Sequence, residues 1–209
     1  TPPSVNNNIN NTADNYVSYF WKLGGTQTIN NDGTSTSVVT ANAASGCSVA
    51  ILNQPDTTAR NFGHGLGGVP EMMILKRLES ADDWYVYHTA MGNQARLSLD
   101  GTAAQVQGTT IWDSTTPTDQ VFYLQNQTGG YHVCYFFRSI AGYQKVGTYT
   151  WTGTSSTAGT MVTGLGFTPR WVMIKAIDED SNWFIFDSTR GATTGTQQRY
   201  ALYPNTTGA

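Results

Sequence analysis

The chain has 209 residues and a formal net charge of −3, with 39% apolar and only 12% charged residues. Thr, Ser, Asn, Gln and Gly replace most of the roughly 25% charge of an ordinary soluble domain, while 6 Trp, 11 Tyr and 8 Phe separate it from a disordered polar chain, which lacks aromatics. A negative balance with no Lys/Arg cluster argues against nucleic acid, and no apolar run approaches the roughly 18 residues of a membrane helix.

Taken in order, Thr1–Asn15 is rich in Pro, Asn and Thr and reads as an irregular lead-in. Tyr16–Lys22 reads as a strand. Gly24–Gly46 is polar, with an Asp32-Gly33 turn signal and one β-branched patch at Val38-Val39, and reads as a linker or a long loop with one edge strand. Short runs of β-branched, aromatic and aliphatic residues follow, most of them bounded by turn residues: Ser48–Leu52, Glu71–Arg77, Trp84–His88, Arg96–Leu99, Val121–Leu124 and Tyr131–Arg138. Gln144–Trp151, Arg170–Ile177, Trp183–Asp187 and Gln198–Tyr203 continue the series. No segment carries a sustained helical period, so helix is expected to be negligible apart from a turn near Thr89–Gln94. Cys47 and Cys134 are too few and too distant for a disulfide framework and read as buried free thiols. The fold class expected is all-β, in antiparallel sandwich modules.

The chain repeats. Gly65-Leu66-Gly67-Gly68-Val69-Pro70 and the apolar run to Lys76 return as Gly164-Leu165-Gly166-Phe167-Thr168-Pro169 and the run to Lys175, an offset of 99 positions. The same offset carries Trp84 onto Trp183. The glycines admit positive φ, and Pro70 and Pro169 fix φ where a strand begins and no N–H is needed. Trp84 and Trp183 read as core anchors at equivalent points. Tyr16–Lys22 resembles His132–Arg138, the strand that closes the first copy. The division expected is a lead-in at 1–15, the closing strand of a preceding unit plus linker at 16–46, a complete sandwich at 47–142, and the first part of another at 143–209. A tandem array points to a multivalent or structural protein before an enzyme. If both ends cut a unit, the isolated chain exposes unpaired edges and self-associates.

His64-Gly65-Leu66-Gly67, Asp83-Trp84-x-Val86-Tyr87-His88, Trp112-Asp113-Ser114-Thr115-Thr116-Pro117, Gly129-Gly130-Tyr131-x-x-Cys134-Tyr135-Phe136 and Gly142-Tyr143-x-Lys145-x-Gly147-x-Tyr149-Thr150, in that order, resemble a β-rich repeat. It is found in tail-fibre and other virion-associated proteins of marine bacteriophages, including those of cyanobacteria. The likeness runs from about Asn15 onward. Asn53–Phe62 departs from it with a Pro-containing loop. The resemblance implies a virion location after assembly in a bacterial cytoplasm, partners among other virion proteins and copies of the same chain (trimers by analogy), and no catalytic residues.

The search for chemistry points the same way. His64 and His88 become Thr163 and Asp187 in the second copy, so surface or strand-edge histidines are expected rather than ligands. No metal site is assigned, since zinc spacing is lacking. The acidic stretches Glu79–Asp83 and Asp178–Asp180 read as solvated hairpin tips, with glycoside hydrolysis and calcium as the lesser alternatives. No cofactor fingerprint is present. Trp112, Trp151, Trp171 and Tyr143 are not all matched between copies, and an unmatched aromatic in a turn can stack on a sugar; Trp151 with Tyr149 is the ligand-binding candidate. The function expected is non-enzymatic: a tail-fibre component contacting host-surface glycans. A head-decoration or filament-forming protein is the alternative, and a polysaccharide depolymerase is less favoured.

Overall fold

The computed structural model describes residues 18–125, 127, 129–153, 162–190 and 201–206. Their strands are β1 (Thr28–Asn30), β2 (Ser37–Asn42), β3 (Cys47–Gln54), β4 (Arg60–Gly63), β5 (Met72–Arg77), β6 (Tyr85–His88), β7 (Ala95–Ser98), β8 (Val106–Gln107), β9 (Val121–Leu124), β10 (Gly130–Phe137), β11 (Trp171–Ile174) and β12 (Phe184–Asp187). The helical elements among the described residues are the short 3-10 turns Ala43–Ser45 and Thr89–Met91. The all-β antiparallel expectation holds, and the turn near Thr89 is where the sequence places it.

The main sheet has the order β1-β2-β3-β10-β5-β6-β7-β8, and every pairing in it is antiparallel. β10 lies at its centre, with Cys134 opposite Ala50 on one side and Leu75 on the other. Alternation does the sorting: His132, Cys134 and Phe136 point inward with Ala50, Leu52, Met73 and Leu75. Against that face lies the two-stranded sheet β4-β9 with Phe62, Phe122 and Leu124, joined by Leu66, Ile111 and Trp112. This is a sandwich core, tightened by the Phe122–Phe136 edge contact at 4.8 Å between ring centroids. Two buried hydroxyls tie the layers: Ser37 Oγ donates to the Gly63 carbonyl (2.6 Å) and Ser48 Oγ to the His64 carbonyl (2.7 Å).

Several expectations need correcting. Gly24–Gly46 is not a plain linker, because β1 and β2 lie in it and β2 pairs with β3 over its whole length. Residues 18–22 form no strand. Gln144–Trp151 is not a strand either; an Ile140–Gln144 bridge is its only pairing among the described residues. The composition favours a strand, but among the described residues no neighbouring edge takes up its backbone groups. Of Gln198–Tyr203, residues 198–200 lie outside the described residues, and Leu202 bridges to Ile185. Cys47 and Cys134 are buried free thiols.

His64 is not a surface residue. It is fully buried against Phe136, its Nδ1 accepts the Leu66 N–H (3.1 Å), and its Nε2 therefore donates to the Thr118 carbonyl (3.2 Å). His132 is also fully buried. Burial is the largest cause pushing the pKa of His64, His88 and His132 below 6.5. A base whose pKa is depressed on folding binds its proton more readily when unfolded. Stability is therefore expected to be full above pH 6.5 and to fall as the pH drops below it. Melting temperature against pH measures this, and His64→Gln should flatten the slope.

The repeat is carried in hydrogen bonds. β5 meets β6 with Met72 opposite His88 and Ile74 opposite Val86; β11 meets β12 with Trp171 opposite Asp187 and Met173 opposite Ile185. Each residue is 99 positions on. Thr89 N–H donates to the Glu71 carbonyl, and Ser188 N–H to that of Arg170. Lys76 Nζ donates to the Ser80 carbonyl, and Lys175 Nζ to that of Glu179. The third strand follows after a connection six residues longer: Leu97 opposite Val86 becomes Leu202 opposite Ile185. The Trp84 N–H then donates to Asp100 Oδ1, and that of Trp183 to Asn205 Oδ1.

The second copy does not stand apart as a separate sandwich within the described residues. Its Met173, Ile177 and Trp183 pack on Val86 and Leu97, with Met72 and Ile74, the outward face of the β5-β6-β7 meander. The two copies meet through corresponding faces. Trp183 Nε1 donates to the Ser98 carbonyl (2.8 Å). Trp84 in turn lines a cleft of about 290 Å³ with Leu99, Asp100 and Pro204. Backbone bonds from Gln105 to Ile177 and from Ser181 to Thr102 fasten the junction, with Asp180 Oδ1 accepting the Ala104 N–H. The acidic tip at Asp180 is therefore a contact as well as a solvated turn.

Candidate functional site

Gly65 (φ +62°) and Gly67 (φ +71°) are matched by Gly164 (φ +75°) and Gly166 (φ +77°), so the turn before the strand is left-handed in both copies. A Cβ on Gly65 would also come within 2.7 Å of Val39 Cγ1, whereas one on Gly164 meets nothing described. Pro70 and Pro169 stand just before β5 and β11 as expected. These residues, with Lys76 and Lys175, build the frame and do not converge on a site. The tryptophans do not match in burial: Trp183 is buried and Trp84 only half-buried. Trp84 borders the open cleft that it forms with Leu99, Asp100 and Pro204. Trp112, an unmatched aromatic in a turn, is a core residue: it is fully buried, its Nε1 donates to the Ala95 carbonyl (3.0 Å), and its ring meets Tyr87 edge-on.

Trp151 and Tyr149 are exposed, at 56% and 44%, on a segment without strand pairing. No ring contact joins them among the described residues. The convergence lies elsewhere, where residues 18–21 reach the β11-β12 ladder.

There Trp171 meets Trp21 edge-on at 5.4 Å and Tyr19 at 6.2 Å. Beside these rings, Asp187 closes β12 and accepts from the Thr189 and Arg190 N–H groups through Oδ1 (2.9 Å each). Its Oδ2 accepts from Arg190 Nε (2.6 Å) and from the Tyr19 hydroxyl (2.8 Å), and Arg190 Nη2 donates to that same hydroxyl oxygen (2.9 Å). The Arg190 hydrogen bonds hold Asp187 well below the usual carboxylate range. Burial, then the bond to Asp187, raises the Tyr19 phenol. A cleft of about 370 Å³ opens between these groups, walled by Tyr19, Trp171 and Arg190.

Such an arrangement holds rigid polar groups beside aromatic faces. Asp187 carries four donors and a low pKa, which makes it a poor proton acceptor and a good anchor. Nothing here is a ready nucleophile–base pair. Among the described residues no three His, Cys, Asp or Glu side chains converge on a metal position.

Reasoning from sequence alone missed Tyr19, Trp21, Asp187 and Arg190 as a set. The signal was a break in the repeat. His88 Nδ1 accepts the Ala90 N–H in the first copy, and Asp187 Oδ1 does the same for Thr189 in the second. Met91 of the first copy becomes Arg190. The capping role persists, and a charged pair is added.

In class, this is an antiparallel all-β protein with an aromatic-walled polar cleft on its second copy. The chain belongs to the family described as Domain of unknown function (DUF7483), whose model matches residues 3–209. No curated protein and no solved structure matches it.

Proposed function

We propose that this chain is a structural and adhesive part of a bacteriophage particle, a tail-fibre component that contacts host-surface glycans. The observation that carries the glycan reading is the cleft where Tyr19 and Trp171 stand beside the Asp187–Arg190 pair, with Trp21 edge-on to Trp171. The apolar face of a sugar ring packs on an indole, and its hydroxyl oxygens accept from a planar guanidinium that the Asp187 carboxylate holds in place. The virion setting is supported by the motif resemblance and by a surface poor in charge. Binding at one such cleft is weak; many copies on one particle, as homo-oligomers among other virion proteins, raise it by orders of magnitude. Trp151 and Tyr149 offer a second exposed aromatic surface outside the cleft. The reading is non-enzymatic and needs no cofactor.

The test is an array of bacterial surface polysaccharides probed with the chain in multivalent form. Binding is expected to fall about tenfold, or about 1.4 kcal/mol, on Trp171→Ala or Arg190→Gln. Absence of any glycan signal from the multivalent wild type contradicts the reading. Release of oligosaccharide from a bound polysaccharide would make it a depolymerase instead.

A further inference from the structure

Among the described residues, one edge of β11 is unpaired. In the first copy β5 is flanked on one side by β6 and on the other by β10, with Met72 opposite Phe137 and the Glu71 N–H donating to the Phe137 carbonyl (2.9 Å). In the second copy β11 repeats the β5 side of the β6 pairing residue for residue, yet among the described residues β12 is its only partner. A strand edge with unpaired N–H and C=O groups is a template for another strand. Trp171 stands where Met72 stands, so the residue it should face is the counterpart of Phe137.

That counterpart is in this chain. Tyr19-Phe20-Trp21-Lys22 reads as Tyr135-Phe136-Phe137-Arg138 does, which makes Trp21 the equivalent of Phe137. Trp21 is also the ring that lies on Trp171, at 5.4 Å. Sequence likeness and observed contact thus select the same pair independently. Tyr19 fastens the segment through Asp187 and Arg190, side chains that have no such role in the first copy. The indole Nε1 of Trp171 is buried without an acceptor, as expected of an edge whose partner is only partly seated.

We infer that the segment Tyr19–Lys22, which makes no strand pairing in the structure, is the piece of chain that closes the second meander, held at the β11 edge of its own chain by the Trp21–Trp171 and Tyr19–Asp187–Arg190 contacts. The clasp ties the beginning of the described chain to its last ladder. Fully seated, the segment would add a strand, its backbone bonds supplying attraction and its aromatic side chains the register. This does not depend on what the cleft binds.

Hydrogen exchange on the full chain tests it, read at the backbone amides of Trp171–Ile174 with those of Cys134–Phe136 as an internal reference. Trp21→Ala is expected to speed exchange at 171–174 about tenfold and to leave the reference unchanged. Trp21→Phe restores the residue type found at 137 and is expected to keep most of the protection. Equal exchange in wild type and Trp21→Ala overturns the clasp. Protection that appears only as concentration rises, together with a dimer by light scattering, overturns closure within one chain and assigns the edge to a second copy. Trp21 is 46% exposed, so its loss does not threaten the core.

Discussion

Replacing Trp112 by Ala is expected to lower the unfolding free energy by about 3–5 kcal/mol, the range for a large aromatic deleted from a packed core. Trp112 is fully buried among the residues that join the main sheet to β4-β9. It fills the space beside Tyr87, with ring centroids 5.7 Å apart. Its Nε1 also satisfies the Ala95 carbonyl, which loses that partner in the variant. Trp112→Phe keeps most of the volume and loses the hydrogen bond, and should cost about 1–3 kcal/mol. Denaturant unfolding at neutral pH measures both. A Trp112→Ala variant as stable as wild type would mean that the core closes elsewhere.

Trp183→Ala is the second large effect, at about 3–4 kcal/mol for the contact between the two copies. The ring is buried against Val86 and Leu97, and its N–H is fixed on the Ser98 carbonyl. Trp84→Ala, at a half-exposed counterpart, should cost about 1–2 kcal/mol because less area is covered there. The loss should also be local. Amide exchange at β11 and β12 should rise toward that of an open ladder, while the centre of the main sheet stays protected. Equal costs at Trp84 and Trp183, with uniform loss of protection, would show that the two copies do not meet through the faces described.

Fold class was legible because short β-branched, aromatic and aliphatic runs, most of them bounded by turn residues, recur without a helical period, as in β5 and β10. The repeat was legible for a physical reason as well. The glycine turn, the Pro before the strand and the Lys that reaches its own hairpin are local devices, so their residues recur with them. Of β2 only the Val38-Val39 patch was legible, since Ser37, Thr40 and Ala41 carry little apolar signal; pairing with β3 extends it from Ser37 to Asn42. Gln144–Trp151 shows the converse, a strand-like composition with no edge to join among the described residues. Trp84 recurs but is only half-buried, while Trp183 is buried as its recurrence suggested and Trp112, unmatched, is fully buried. A recurring residue needs only a recurring backbone, and the covering atoms come from the rest of the chain. The cleft was hidden because Tyr19 and Asp187 lie far apart in sequence, and only the departure of Asp187 and Arg190 from His88 and Met91 marked it.

The most direct measurement of the functional account is an amide chemical-shift titration of the intact chain with a glycan that the array identifies. Shifts are predicted at Tyr19–Trp21, Arg170–Val172 and Asp187–Arg190, with Trp171→Ala abolishing them. Shifts confined to Tyr143–Trp151, or none at saturating sugar, would contradict the assignment of the cleft as the glycan-binding site.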